Sequence, residues 1–315
     1  MKEIRNISLI GLGAIGAAYA GRLYEMDPGC IKVIADKGRS RRYLEQGISV
    51  NGVRYDFRYV EPGEDTVPAD LVLIAVKYHH LQQAVQDVKN HVGPDTIILS
   101  LLNGIASEEI VGGEFGMDKM LYSVCVGIDA VRAGTSIHFS DIGKVFFGEK
   151  VNNTYSPKVQ AVKNLFDRAN IPYVIPEDML RTLWWKFMVN VGVNQASAVL
   201  KAPYGVFHKL KEANDLMEAA MREVISLSQK TGVNLDEADI IEFKKVLQTL
   251  SPKGKTSMLQ DIEAGRKTEV EMFAGTVSEL GRKLQVETPV NDIFYKMIRT
   301  MEQMSVSRGC NPAHD

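Results

Sequence analysis

Ile4-Arg5-Asn6-Ile7-Ser8-Leu9-Ile10-Gly11-Leu12-Gly13-Ala14-Ile15-Gly16 decides the fold. Ile4 to Ile10 reads as a buried strand, the run Gly11, Leu12, Gly13, Ala14, Ile15, Gly16 as a tight turn, and Ala17 to Glu25 as the start of a helix. At such a junction the three glycines of G-x-G-x-x-G have different duties. Gly11 permits the turn, Gly13 lets backbone N–H groups approach a pyrophosphate at the positive helix end, and Gly16 allows close helix–strand packing. Glycine turns after strands are common, so the motif gains its weight from context: a second strand, Ile31 to Ala35, arrives on schedule.

That second strand ends at Asp36, twenty positions after Gly16, where a carboxylate would accept from the ribose hydroxyls of NAD. Lys37, Arg39, Arg41 and Arg42 follow at once, and such a cluster could pair instead with the 2′-phosphate of NADP. For Arg41 and Arg42 a solvated basic helix start explains the charges equally well. Both cofactors stay open on these residues.

The remaining strands extend a sheet. Leu71 to Val76 is a continuous apolar run suited to a parallel strand covered on both faces, and it ends in Lys77. Thr96 to Leu102 closes with Asn103-Gly104 at the corresponding edge. Ligands of open α/β sheets lie outside the carboxyl ends of strands, which aims Lys77 and Asn103 at the cofactor. A lysine surfacing at a strand end and an Asn-Gly turn are the plainer readings. Ile48 to Tyr55 has the look of a hairpin around Asn51-Gly52, Met120 to Ile128 and Lys144 to Gly148 complete the sheet, Ser156-Pro157 opens a helix, and Ile171 to Ile175 is a last short strand.

From Glu177 onward only helical patterns remain, including Lys211 to Lys230, Glu237 to Leu250 and Pro289 to Met304. The expected architecture is α/β: a Rossmann-type dinucleotide-binding domain over 1–176 and an all-α domain for substrate and dimerisation over 177–315. If residues 179 to 200 form one helix, Lys186, Asn190 and Asn194 line one face at i, i+4 and i+8 of an otherwise apolar and therefore buried element. A buried lysine with two carboxamides needs partners, in the protein or in a ligand. A core helix whose asparagines bond neighbouring backbone and whose lysine snorkels outward is the alternative. Ser257-x-x-Gln260 and Thr268-x-x-Glu271 read as capping boxes, leaving Glu269 as a first-turn carboxylate favoured by the helix dipole.

Composition narrows the partners. At 315 residues, 45% apolar and 24% charged, the chain suits two globular domains, and a net charge of −2 offers no footprint for nucleic acid or an anionic membrane. Cys30, Cys125 and Cys310 lack the spacing of a disulfide framework or zinc site, and the adjacent His79 and His80 point to different sides, so no metal is expected. No apolar run approaches membrane-spanning length, and no signal peptide is read at the N-terminus. A cytoplasmic protein acting on a small molecule is the expectation.

These motifs together resemble the ketopantoate reductases (2-dehydropantoate 2-reductases) over nearly the whole chain: Gly11 to Gly16, Ala75-Val76-Lys77, Leu101-Leu102-Asn103-Gly104, Lys186-x-x-x-Asn190-x-x-x-Asn194, and Ser257-Met258-Leu259-Gln260-Asp261 followed by Glu269. The resemblance implies NADPH-dependent reduction of an oxo acid, with Lys186 as general acid, Asn190 and Asn194 positioning proton donor and substrate, and Ser257 and Glu269 binding substrate. Asp36 departs from it, since many family members carry an arginine there; Lys37, Arg39 or Arg42 would have to compensate, and NAD stays possible. A reductase of another small 2-oxo or 3-hydroxy acid, or a non-catalytic dinucleotide sensor, would share the fold. The helical half is large enough to offer a dimer surface, and a homodimer is expected.

Overall fold

The computed structural model describes residues 3–64 and 66–307. The chain divides into two compact units, Met1–Leu180 and Arg181–Asp315, where the texture of the sequence puts the division after Pro176.

The first unit is built on twelve described strands: β1 (Ile7–Ile10), β2 (Ile31–Ile34), β3 (Ile48–Val50), β4 (Val53–Tyr55), β5 (Arg58–Val60), β6 (Leu71–Ile74), β7 (Ile97–Ser100), β8 (Met120–Val126), β9 (Val131–Ala133), β10 (Ser136–His138), β11 (Lys144–Gly148) and β12 (Tyr173–Val174). Eight of them form one sheet in the order β12-β11-β8-β7-β6-β1-β2-β5, with β8 and β11 antiparallel and every other neighbour parallel. The chain runs outward from β1 through β2 to β5, then returns to the other side of β1 as β6. That reversal is the topological switch point at which open α/β sheets bind ligands.

The two faces of the sheet follow from strand alternation. Ile7 and Leu9 pack with Leu23, Val159 and Leu165 from the helices Ala14–Met26 and Pro157–Arg168. Ile10 belongs to the opposite core, with Val85 and Val111 from the helices Leu81–Asp87 and Ser107–Phe115. All four residues of β1 are buried, and each such Ile or Leu contributes about 1.5–3 kcal/mol. The expected hairpin is β3 and β4, turned at Asn51 (φ 49°) and Gly52 (φ 83°) as a type I′ turn requires. It joins β10 and β9 in a four-stranded sheet that the sequence does not announce, because three-residue strands are too short to display alternation.

Among its described residues the second unit is entirely helical. The helix Lys211–Lys230 buries Met217, Met221, Val224 and Leu227 completely and packs against the helices Thr276–Leu284 and Pro289–Ser307. Residues 179–200 are not one α-helix. Met179–Val189 and Gln195–Leu200 are α-helical, and Asn190–Asn194 between them is a π turn. Gly192 accommodates it, since a Cβ there would lie 2.5 Å from the Met221 methyl and 3.1 Å from the Met217 carbonyl oxygen. Among the described residues no helix is long and apolar enough to cross a membrane. Cys30 and Cys125 are buried thiols, and Cys310 lies outside the described residues.

Candidate active site

The first unit gathers its candidate residues at the carboxyl edge of the sheet. Gly11 follows β1 with φ 100°, and a Cβ there would sit 2.5 Å from the Ala75 carbonyl oxygen beyond β6. At Gly16 a Cβ would meet the Gly11 carbonyl oxygen at 1.9 Å and the Ala75 methyl at 3.0 Å. Both glycines are therefore demanded by packing within the turn. Gly13 differs, because its nearest neighbour would be 3.9 Å away. Among the described residues nothing requires a glycine there, whereas a pyrophosphate approaching the backbone would. Gly13 is the N-cap of the helix Ala14–Met26, which has no side-chain cap and no acid in its first turn, leaving its positive end for an anion. Leu12 is buried, Ala14 and Ile15 begin the helix, and the arrangement fits a dinucleotide.

Asp36 lies just beyond β2, exposed, and is the N-cap of the helix Lys37–Gln46. Its neighbours are partly committed: Arg39 to Asp36 at 3.5 Å, Lys37 to Glu61 at 3.8 Å, and Arg41 to Glu45 at 2.7 Å. The Arg42 guanidinium lies 5.3 Å from the centre of the Tyr43 ring. Lys77 follows β6 as the N-cap of the 3₁₀ turn Tyr78–His80, and Asn103 follows β7 just before Gly104 (φ 92°). Both are half-buried.

In the second unit Lys186 is half-buried rather than buried. Asn190 and Asn194 are buried, at 4% and 7% exposure. The π turn alters their alignment. Four residues of α-helix overshoot a full turn by about 40°. A turn closed by i→i+5 bonds holds more residues, so four fall short of it. Asn194 is thereby swung back toward the line of Lys186 instead of drifting past Asn190. Asn190 Nδ2 is buried with no hydrogen-bond acceptor, as is Trp185 Nε1. An orphaned amide costs about 1–3 kcal/mol, which a ligand acceptor would recover.

Neither expected capping box forms. Thr256, not Ser257, caps the helix Ser257–Glu263, accepting from Leu259 N at 3.2 Å, which leaves Ser257 as an exposed first-turn hydroxyl. Thr268 donates to Glu302 at 2.6 Å, while Glu271 pairs with Arg299 at 2.9 Å. Glu269 is half-buried and its carbonyl accepts from Met272 and Phe273, at the entrance to a second π turn, Glu271–Gly275.

Two polar clusters escape the sequence. In the first unit Glu108, 1% exposed, accepts from Ser107 Oγ at 2.9 Å and Ser123 N at 3.3 Å, and burial pushes its carboxyl up to about 7. Ser107 also bonds Ser100 at the end of β7. In the second unit Gln195, Asn291 and Glu223 form a buried chain, with Gln195 Nε2 to Asn291 Oδ1 at 2.9 Å and Asn291 Nδ2 to Glu223 at 2.7 Å; burial raises the Glu223 carboxyl. The available signal was a glutamine directly after Asn194 in an apolar helix.

This arrangement of sheet and helices recurs in known proteins. The family models described as "Ketopantoate reductase PanE/ApbA" and "Ketopantoate reductase PanE/ApbA C terminal" match residues 7–152 and 178–302. The 2-dehydropantoate 2-reductase of Aquifex aeolicus is 26% identical over 309 residues, covering 95% of this chain and 97% of that one. The structure of dimeric ketopantoate reductase from Staphylococcus aureus superposes with a TM-score of 0.80 at 20% identity, covering 95% of this chain and 99% of that one. D-mandelate dehydrogenase with NADH and anilino(oxo)acetate gives 0.84 at 21%, covering 96% and 99%. With both family models matched along a glycine turn at the sheet's switch point and a lysine–asparagine helix, this chain is an oxidoreductase belonging to the ketopantoate reductase family.

Proposed function

We propose that this chain reduces 2-dehydropantoate (ketopantoate) to pantoate with NADPH, a step of pantothenate biosynthesis, as a cytoplasmic homodimer. The observation that carries this reading is the buried, acceptor-less Asn190 amide one helical turn from Lys186. NADPH, when bound, supplies the hydride that reaches the C2 carbonyl carbon. Gly11 to Gly16 hold its pyrophosphate, Asp36 and Arg39 meet the adenosine ribose and its 2′-phosphate, and Lys77 and Asn103 orient the nicotinamide end.

Negative charge grows on the C2 oxygen as the carbon is reduced. Lys186, as an ammonium, donates to that oxygen and passes it a proton, leaving the alcohol and a neutral amine that solvent reprotonates. Asn190 Oδ1 accepts from the ammonium and holds it in line, while Asn190 Nδ2 and Asn194 donate to the substrate. Ser257 donates to the substrate carboxylate. Glu269 accepts from the terminal hydroxyl, a contact that an analogue lacking that group cannot make.

A second reading, NADH-dependent reduction of another 2-oxo acid, is favoured by Asp36 and by the likeness to D-mandelate dehydrogenase bound to NADH. Oxidation of NADPH and of NADH with ketopantoate, in wild type, Lys186→Ala and Glu269→Ala, separates the two. The expected result is turnover with NADPH, a loss of about 10²–10⁴ in kcat for Lys186→Ala and a raised KM for Glu269→Ala. Tight dinucleotide binding without ketopantoate turnover would sink the proposal, and turnover of a different oxo acid would install the second reading.

A further inference from the structure

One buried side chain joins the two π turns. Gln195 is fully buried at the end of the first, Asn190–Asn194. Its Nε2 donates to the Val191 carbonyl at 2.8 Å, inside that turn. Its Oε1 accepts from Ala274 N at 3.1 Å, inside the second turn, Glu271–Gly275.

One of these partners, Ala274 N, is a group that the second π turn leaves over. In an α-helix Ala274 N would donate to the Val270 carbonyl, but here Gly275 N takes that acceptor at 3.0 Å, and Phe273 N takes the Glu269 carbonyl at 3.1 Å. Ala274 N is displaced from the ladder, and a buried N–H without an acceptor costs about 1–3 kcal/mol. One carboxamide, with two donors and an acceptor, answers a carbonyl of one turn and the displaced amide of the other.

The remaining Nε2 proton goes to Asn291 Oδ1 at 2.9 Å, and Glu223 anchors Asn291 while accepting from Val290 N at 2.7 Å and Asn291 N at 3.0 Å. The Phe187 and Phe273 rings, 6.5 Å apart, pack along the same seam. The first turn begins and ends with Asn190 and Asn194, and the second begins two positions after Glu269.

We propose that Gln195 is a positioning residue that locks the two π turns in phase, fixing Asn190 and Asn194 relative to Glu269 and thereby setting discrimination for a 2-oxo acid that carries a terminal hydroxyl. The role in discrimination rests on the ketopantoate reading given above; the lock itself does not. Gln195 touches neither substrate nor cofactor in this scheme. Its effect passes through the spacing of the groups that grip the two ends of the substrate.

Amide hydrogen exchange tests the lock in the unaltered protein. The expected result is that Ala274 N–H and the amides of 190–196 open with the same free energy, as one cooperative unit. Exchange of Ala274 at least about tenfold faster than that of 190–196 overturns the lock. Gln195→Met then tests the role in discrimination. The expected result is a fall of about tenfold or more in the kcat/KM ratio of ketopantoate over 3,3-dimethyl-2-oxobutanoate, which lacks only the hydroxyl, with the KM for NADPH unchanged. Asn291→Ala is the control, because it loosens the same core but leaves the bonds to Val191 and Ala274. Its discrimination is expected to stay at the wild-type ratio; an equal fall in both variants would show general loosening and overturn the assignment. If Gln195→Met does not fold, Gln195→Glu, which keeps the acceptor for Ala274 and loses the donors, is read the same way. Absence of ketopantoate turnover in wild type would remove the activity reading and the discrimination claim with it, and the exchange result would still decide the lock.

Discussion

Asp36 caps the helix on which Arg39 sits: Oδ1 accepts from Arg39 N at 2.9 Å while Oδ2 lies 3.5 Å from Arg39 Nε. The carboxylate that would repel a 2′-phosphate thus also restrains the cation that would attract it. Asp36→Ser keeps a capping oxygen and removes the charge. The ratio of kcat/KM for NADPH over NADH is expected to rise about tenfold, equivalent to roughly 1.4 kcal/mol, and to fall in Arg39→Gln. Unchanged ratios in both variants would place 2′-phosphate recognition on other residues.

The glycines of the turn should separate binding from folding. Gly16→Ala drives a Cβ to 1.9 Å from the Gly11 carbonyl oxygen, whereas Gly13→Ala meets nothing closer than 3.9 Å. Urea midpoints are expected to show Gly16→Ala destabilised by several kcal/mol, on the order of a severe core lesion. Gly13→Ala should lie within about 1 kcal/mol of wild type, yet bind NADPH about tenfold or more weakly. Normal dinucleotide affinity in Gly13→Ala would remove the pyrophosphate from this turn.

Asn190 carries an orphaned buried amide, so removing it should cost the fold little. Asn190→Ala is expected to change stability by no more than about 1 kcal/mol, because a cavity term is offset by relief of the unpaired donor. Its kcat should fall by about 10² or more. A large stability loss with normal kcat would return Asn190 to a purely structural role.

His91 and Glu108 are expected to give opposite pH dependences of stability. His91 is fully buried, its Nδ1 bonded to Ser8 Oγ at 2.8 Å, and burial with the nearby Lys32 ammonium lowers its pKa from 6.5 to about 4. Between those values the unfolded chain binds a proton that the folded one does not, so this contribution is lost as pH falls from 6.5 toward 4. Glu108 is raised from 4.5 to about 7, so the folded chain holds the extra proton and stability falls as pH rises through that window. Each effect is about 3–4 kcal/mol at most. Relative to wild type, Glu108→Gln should lose stability on acidification from about pH 7 to 4.5 and His91→Gln should gain it. Variant curves parallel to wild type in urea titrations would refute both assignments.

The strand–turn–helix at the N-terminus was legible because a glycine turn, an apolar run and the arrival of a second strand are all local. The Asn51-Gly52 hairpin and the Ser156-Pro157 helix start, with Ser156 accepting from Val159 N, follow the same logic. Lys186, Asn190 and Asn194 were legible as a polar line in an apolar helix. Their relative angle was not, because it is set by the π turn, whose Gly192 lies so close to Met217 and Met221 of another helix that a Cβ would collide with them. The Thr268–Glu271 capping box failed for a related reason, since Glu302 and Arg299 reach Thr268 and Glu271 from a helix more than twenty residues further along the chain, whereas the Ser257–Gln260 box failed locally, Thr256 taking the cap one residue earlier.

By itself the sequence determined the glycine turn, the longer strands of the main sheet and the candidate chemistry, since these depend on neighbours within a few positions. Tertiary structure alone decided which glycines packing demands, where the helix around Asn190 opens into a π turn, and that Gln195 meets Ala274, seventy-nine positions away. Hydrogen-bond groups displaced from a local ladder must find partners wherever the fold brings them, and no local pattern records that choice.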